Sequence, residues 1–213
     1  MADETPVDDE LHMARAIELA TRQLGRTSPN PTVGCVLIKD GVVIAEAATG
    51  DGGRPHAEEA ALAVAGAAAN GATAYVTLEP CHSRSSGASG CSDRLISAGV
   101  LRVVIAIEDH HPTAADGLAK LKVAGIPTEV GCLRDAAQKL VSGFFKVLDA
   151  GRPLVGVSAD LETYDAEFYL APGESFEDSL KRMAREGKTR IRVVPGSPLA
   201  SALRARGLVD IET

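Results

Sequence analysis

Apolar positions recur at helical spacing through Leu11, Ala14, Ile17, Leu19 and Leu24, with Asp8 or Asp9 placed to cap the helix they predict. Two prolines in Ser28-Pro29-Asn30-Pro31 break that helix. The run Val33–Ile38 then predicts a buried strand, Lys39-Asp40-Gly41 a hairpin turn, and Val42–Ala48 the return strand. After the glycine-rich Gly50–Arg54, Pro55 suits a first helical turn, and the helix it opens continues through Ala69 to the C-cap signal Asn70-Gly71. Strands are expected at 72–78, 101–107 and 126–130, and helices at 92–98, 114–124 and 135–148.

This alternation predicts an α/β sandwich with a mixed sheet, one antiparallel hairpin followed by βα crossovers. Gly151-Arg152-Pro153 is the expected domain boundary. Beyond it the pattern reads strand (154–158), an irregular Asp/Glu/Tyr stretch, helix (176–186), strand (190–194), helix (198–206) and a last strand (209–212). The expected organisation is an acidic tail at 1–10, a main domain at 11–150 and a small α/β remnant at 151–213.

Composition narrows the functions. The chain has 213 residues, 45% apolar and 24% charged, enough to build a core and unlike a fibrous or disordered chain. The net charge is -7, and the first ten residues hold five acids and no base, so the body is near neutral. No basic stripe exists for a nucleic-acid backbone. Aromatic residues number 4 Phe, 3 Tyr and 0 Trp, and Tyr75 alone precedes Phe144, which leaves no stacking platform for single strands. The acidic start is unlike a signal peptide, and the longest apolar run, 60–69, is too short to span a bilayer. Four cysteines are too few for a disulfide scaffold, so a reducing cytoplasm is the expected location.

The chemistry gathers in His56-Ala57-Glu58, Pro80-Cys81 and Cys91, each at a junction of a helix with a strand or loop. One His and two Cys suit Zn2+, and three protein ligands leave a fourth position for water, the arrangement of a catalytic site. Glu58, two residues after His56, is placed to handle protons without binding metal. The order matches the H-x-E…P-C…C pattern of zinc deaminases. Cys35 and Cys132 read as buried small hydrophobes; Cys132 is the candidate fourth ligand, which would make the site structural. His82 is an alternative ligand, less well placed than Cys81.

Longer stretches carry a resemblance. Ser28–Cys35 reads S-P-N-P-T-V-G-C, Pro55–Glu58 reads P-H-A-E, Gly71–Cys81 reads G-A-T-A-Y-V-T-L-E-P-C, and Ala98-Gly99-Val100 follows. With these, residues 10 to 148 resemble the bifunctional riboflavin-biosynthesis deaminase/reductase family. The resemblance implies the cytidine-deaminase-like fold, a three-layer α/β/α sandwich with a mixed five-stranded sheet. It also implies hydrolytic loss of ammonia from an aminopyrimidine carrying a ribosyl or ribityl phosphate, with Asn30 on the ring and Glu58 as proton shuttle. A small-molecule substrate and a homodimer or higher homo-oligomer follow from the same likeness, with no nucleic acid and no membrane as partners. Nucleic-acid deaminases resemble P-C-x-x-C, whereas nine residues separate Cys81 from Cys91 here.

The departures from the family fall in loops. The inter-cysteine stretch 82–91 keeps Arg84 as its one basic candidate. A family histidine seven residues before His56 is Thr49, and the family's Asp-Pro-Asn-Pro turn is Asp109-His110-His111-Pro112. Asn30, Thr49, Arg84, Asp109 and His111 are therefore the expected substrate contacts, around a kept metal centre. This combination implies a deaminase with an altered substrate; the rivals are a deaminase of another nucleoside or base, and a non-catalytic zinc-stabilised scaffold. Gly151–Val155 resembles the start of the family's reductase domain and 195–212 its end, with the middle missing and a paired glycine replaced by Gly196-Ser197. No NADPH is expected to bind.

Overall fold

The computed structural model describes residues 6–83, 87, 89–112 and 114–212. Its contacts divide the chain into two compact units. The first holds the residues through Arg22, then Thr32–Gly50 and Arg54–Leu140; the second holds Gln23–Pro31, Asp51–Gly53 and the chain from Val141. The division falls between Leu140 and Val141, inside a helix, whereas the Gly-Arg-Pro signal at 151–153 marks only the turn into the next strand.

In the first unit, α1 (Pro6–Thr21) precedes the hairpin β1 (Gly34–Lys39) and β2 (Val42–Ala48). The turn takes Asp40 and Gly41 through φ of 51° and 73°, the two positive values a tight hairpin needs. α2 (Ala57–Ala65), β3 (Thr73–Val76), α3 (Cys91–Ser97), β4 (Arg102–Ile105), α4 (Gly117–Val123) and β5 (Thr128–Val130) follow. The sheet order is β2-β1-β3-β4-β5, antiparallel through β1 and β3, then parallel. This is the mixed five-stranded sheet expected from the pattern. β1, β3 and β4 are buried almost throughout, which is why they read as continuous apolar runs. Neighbouring residues of β1 point to opposite faces. A Cβ on Gly34 would stand 1.9 Å from the Ala16 carbonyl of α1, while Cys35 faces the charge of Glu58 in α2. Helices thus cover both faces.

Three expectations are corrected. α1 begins at Pro6, so residues 6–10 belong to a helix rather than a tail. Asp9 is 4% exposed and accepts hydrogen bonds from Tyr75 (2.8 Å) and from both Arg102 guanidinium nitrogens (2.7 Å each). α2 starts at Ala57, with Pro55 before it and the extended His56 in the N-cap position; it stops at Gly66, whose φ of 53° breaks it before a 3₁₀ turn. α4 starts at Gly117 because Asp116, at φ 74°, adopts a left-handed conformation.

α5 (Arg134–Ala150) runs across the division. In the second unit β6 (Leu154–Val157), β7 (Ala166–Glu167), β8 (Arg190–Val193) and β9 (Ile211–Glu212) form a parallel sheet of order β7-β8-β6-β9. β7 lies in the stretch expected to be irregular. α6 (Phe176–Arg185) and α7 (Pro198–Ala205) start at Ser175 and Ser197, whose hydroxyls accept from Asp178 N and Ala200 N. Val155, Val157, Phe168, Leu180, Met183, Ile191 and Leu203 fill its core.

Candidate metal centre

The sheet and two helix ends bring His56, Cys81 and Cys91 together. His56 takes the N-cap position of α2, Cys91 opens α3, and Cys81 lies just past β3 after Pro80, which has no amide to extend the strand. The ligand atoms of these three residues lie within 4.8 Å of one another. His56 Nδ1 is 3.3 Å from Cys91 Sγ and 3.7 Å from Cys81 Sγ. A tetrahedral zinc with ordinary Zn–N and Zn–S bonds separates such donors by about 3.6 Å. Both sulfurs are buried and the imidazole is half-buried, so the donor set fits zinc in chemistry and spacing.

Main-chain bonds hold the two cysteine segments together. The Cys91 amide donates to Cys81 Sγ at 3.3 Å, and Ser92 donates to the Cys81 carbonyl from its amide (3.2 Å) and its hydroxyl (3.1 Å). Gly90 permits this approach, since a Cβ there would come within 2.3 Å of the His82 carbonyl. The side-chain hydrogen bond from Cys91, followed by His56 and the Cys91 amide, outweighs burial and holds the Cys81 thiol down to about 4, which favours the thiolate a metal needs.

Glu58 lies in the first turn of α2 and is 3% exposed. Burial, and next the negative charge of Cys81, raise its carboxyl above the usual value, partly offset by a backbone hydrogen bond, His56 and Cys91. A buried carboxyl beside a ligand cluster can both take and give a proton. Among the described residues Cys35, His82 and Cys132 are outside the cluster. Burial pushes the Cys35 thiol well up and the Cys132 thiol to about 11, the behaviour of packed hydrophobes.

The expected substrate contacts fall in different places. Asp109 is 8% exposed, its Oδ1 accepts from the His111 amide (2.9 Å), and burial raises its carboxyl, with Cys81 near enough to contribute. His111 is half-buried beside it. Thr49 is 2% exposed, and its hydroxyl accepts from Val33 N (3.0 Å) and donates to Val33 O (3.4 Å), so it joins the ends of the β1–β2 hairpin. Asn30 belongs to the second unit, where its amide donates to Gly52 O at 3.4 Å and sits where a Cβ on Gly53 would be. Arg84 lies outside the described residues. Periodicity missed Glu79, a buried carboxylate whose two oxygens accept from Asp109 N (3.0 Å) and Leu118 N (2.7 Å). Its signal was an acid directly after the strand expected at 72–78.

The profile of the cytidine and deoxycytidylate deaminase zinc-binding region matches residues 6–107. Riboflavin biosynthesis protein RibD of Escherichia coli (strain K12) is 44% identical over 172 residues, 79% of this chain and 46% of that protein. The diaminohydroxyphosphoribosylamino-pyrimidine deaminase of Buchnera aphidicola is 40% identical over 148 residues, 69% of this chain and 100% of that protein. The chain spans about half the length of the RibD relatives it matches. A solved structure of Acinetobacter baumannii RibD superposes with a TM-score of 0.81 at 27% identity, covering 97% of this chain and 86% of that one. Among the described residues no helix is long and apolar enough to cross a membrane.

Proposed function

Because the chain belongs to the riboflavin-biosynthesis deaminase family, we propose that it removes ammonia hydrolytically from an aminopyrimidine bearing a ribosyl phosphate, or from a closely related heterocycle. The observation that carries the reading is Glu58, buried beside a His/Cys/Cys set that fits zinc.

His56, Cys81 and Cys91 would hold the zinc, whose Lewis acidity makes a bound water acidic enough to be a nucleophile near neutral pH. Glu58 does the proton work. Its carboxylate takes one proton from the attacking water and passes it to the ring nitrogen, then takes the second from the added hydroxyl and delivers it to the amine as the C–N bond breaks. Water and the amidine thus become a carbonyl and ammonia. Burial helps Glu58 in both directions, since a raised carboxyl value lowers the cost of holding the proton midway. Asp109 and His111 face the substrate as part of this reading, with Asn30 and Arg84 assigned by the family likeness.

The reading gives the chain one activity. The second unit is read as working without NADPH, because Gly196-Ser197 stands in place of a paired glycine and its strands are only 2 to 4 residues long. Titration with NADPH, followed by its fluorescence, checks this part; saturable binding would overturn it.

The test of the whole is ammonia release from the diaminopyrimidinone ribosyl phosphate and from a panel of free aminopyrimidines and their ribosides, with zinc content measured on the same sample. Turnover of a phosphorylated pyrimidine is expected, lowered at least about a hundredfold in Glu58→Ala. Silence across the panel with zinc bound would favour a non-catalytic binding protein.

A further inference from the structure

Glu79 is a buried carboxylate answered by main-chain amides. It follows β3, is 6% exposed, and makes no ion pair among the described residues. Its partners are amides at both ends of one loop. Oε2 accepts from Asp109 N at 3.0 Å, shortly after β4, and Oε1 accepts from Leu118 N at 2.7 Å, in the first turn of α4. Its own amide donates to Ile107 O at 2.8 Å, which extends the β3–β4 pairing beyond the strands.

The loop it grips lies against the Cys81 segment. His82 N donates to Ala114 O at 2.8 Å, and a Cβ on Gly117 would stand 1.7 Å from the Pro80 carbonyl. Asp116, in the N-cap position of α4, makes no capping bond with its side chain. Glu79 therefore supplies from across the chain the acceptor that the helix start lacks locally. The grip passes on to Asp109, whose own carboxylate holds the His111 amide.

Only a group with two acceptor oxygens can serve both amides. A glutamine in the same place would turn its NH2 toward one of the N–H donors and leave that donor unmatched. We propose that Glu79 is a positioning residue for substrate recognition: it fixes Asp109 and the start of α4 against the Cys81 segment, and so sets substrate affinity without holding the metal or moving a proton. The consequence for affinity rests on the functional reading above; the grip on the loop does not.

Two measurements separate these. In the wild-type chain the amide hydrogens of Asp109 and Leu118 should be strongly protected from exchange, and Glu79→Gln should expose one of them while β3 and β4 stay protected. Free exchange of the two amides in the wild type would overturn the proposal whatever any variant does. In ammonia release, Glu79→Gln should raise KM by about tenfold, the scale of one lost hydrogen bond to a charged group, with kcat changed less than about threefold and zinc content kept. Glu79→Asp, too short to reach both amides, should not restore KM. A role in general stability alone would lower the melting temperature and leave KM unmoved, and loss of zinc in step with KM would make Glu79 a support of the metal loop; either result overturns the proposal. A wild type that releases no ammonia would sink the deaminase reading, and the exchange pattern would still decide whether Glu79 holds the loop.

Discussion

The main-chain amide of Cys91 points at the sulfur of Cys81 across 3.3 Å, although nine residues separate them in sequence. One ligand thus stabilises the thiolate of the other before any metal arrives. The same amide belongs to the first turn of α3, where N–H groups without an intrahelical acceptor favour negative charge. The cluster is therefore already organised by the backbone, and its parts should fail separately.

Cys81→Ser and Cys91→Ser should each weaken zinc affinity by more than about a hundredfold, since loss of even an outer partner costs ten to a hundredfold. Cys35→Ala should retain zinc, because its thiol is buried and pushed well up. Metal analysis after dialysis against a chelator reads all three. Full zinc in Cys91→Ser would remove that residue from the ligand set.

Glu58→Ala should keep zinc and lower kcat by roughly 10²–10⁴-fold, the usual worth of a positioned acid–base group. Glu58→Gln, which keeps shape but cannot carry the proton, should behave alike. Parallel assays of zinc content and single-turnover ammonia release decide this. Near-normal turnover in either variant would end the proton-shuttle role.

Much of this was legible because the informative pairs lie close in sequence or at element junctions. β2 has the bounds that alternation predicts, Val42–Ala48. His56, Cys81 and Cys91 stood out because rare ligand types recur where helices and strands meet. What stayed hidden depends on partners far along the chain. Asp9 reads as part of an acidic tail until Tyr75 and Arg102, 66 and 93 residues away, are placed beside it. Glu79 reads as a strand-end acid until the fold returns Asp109 to it from 30 residues on. Pro55 suggested a helix start that the extended backbone of His56 delays, which sets the imidazole at the end of α2 instead of within it.

Thr49 offers a test of role. Its hydroxyl serves both the amide and the carbonyl of Val33, so Thr49→Val leaves a buried amide without its acceptor. Stability should fall by about 1–3 kcal/mol, with KM for the pyrimidine unchanged within about twofold. Denaturant unfolding beside steady-state kinetics checks both. A raised KM with unchanged stability would restore Thr49 to the substrate contacts.

Asp9 predicts a pH dependence of stability with a definite sign. The hydrogen bond from Arg102, assisted by Tyr75 and opposed by burial, holds its carboxyl below the ordinary 3.8. A depressed value means that the unfolded chain binds the proton more readily than the folded one. The stabilisation is thus complete above the ordinary value and is lost as pH falls below 3.8 through the lowered one. Asp9→Asn removes the charge that pairs with Arg102, whose side chain is 25% exposed and which keeps its bridge to Glu129. The cost at neutral pH should be about 1–3 kcal/mol, below that of a fully buried pair because water reaches the guanidinium. Unfolding measured from pH 7 down to pH 3 should show the gap between wild type and Asp9→Asn narrowing toward the acid end. A gap that stays constant, or widens, would mean that Asp9 holds α1 by packing and not by its charge.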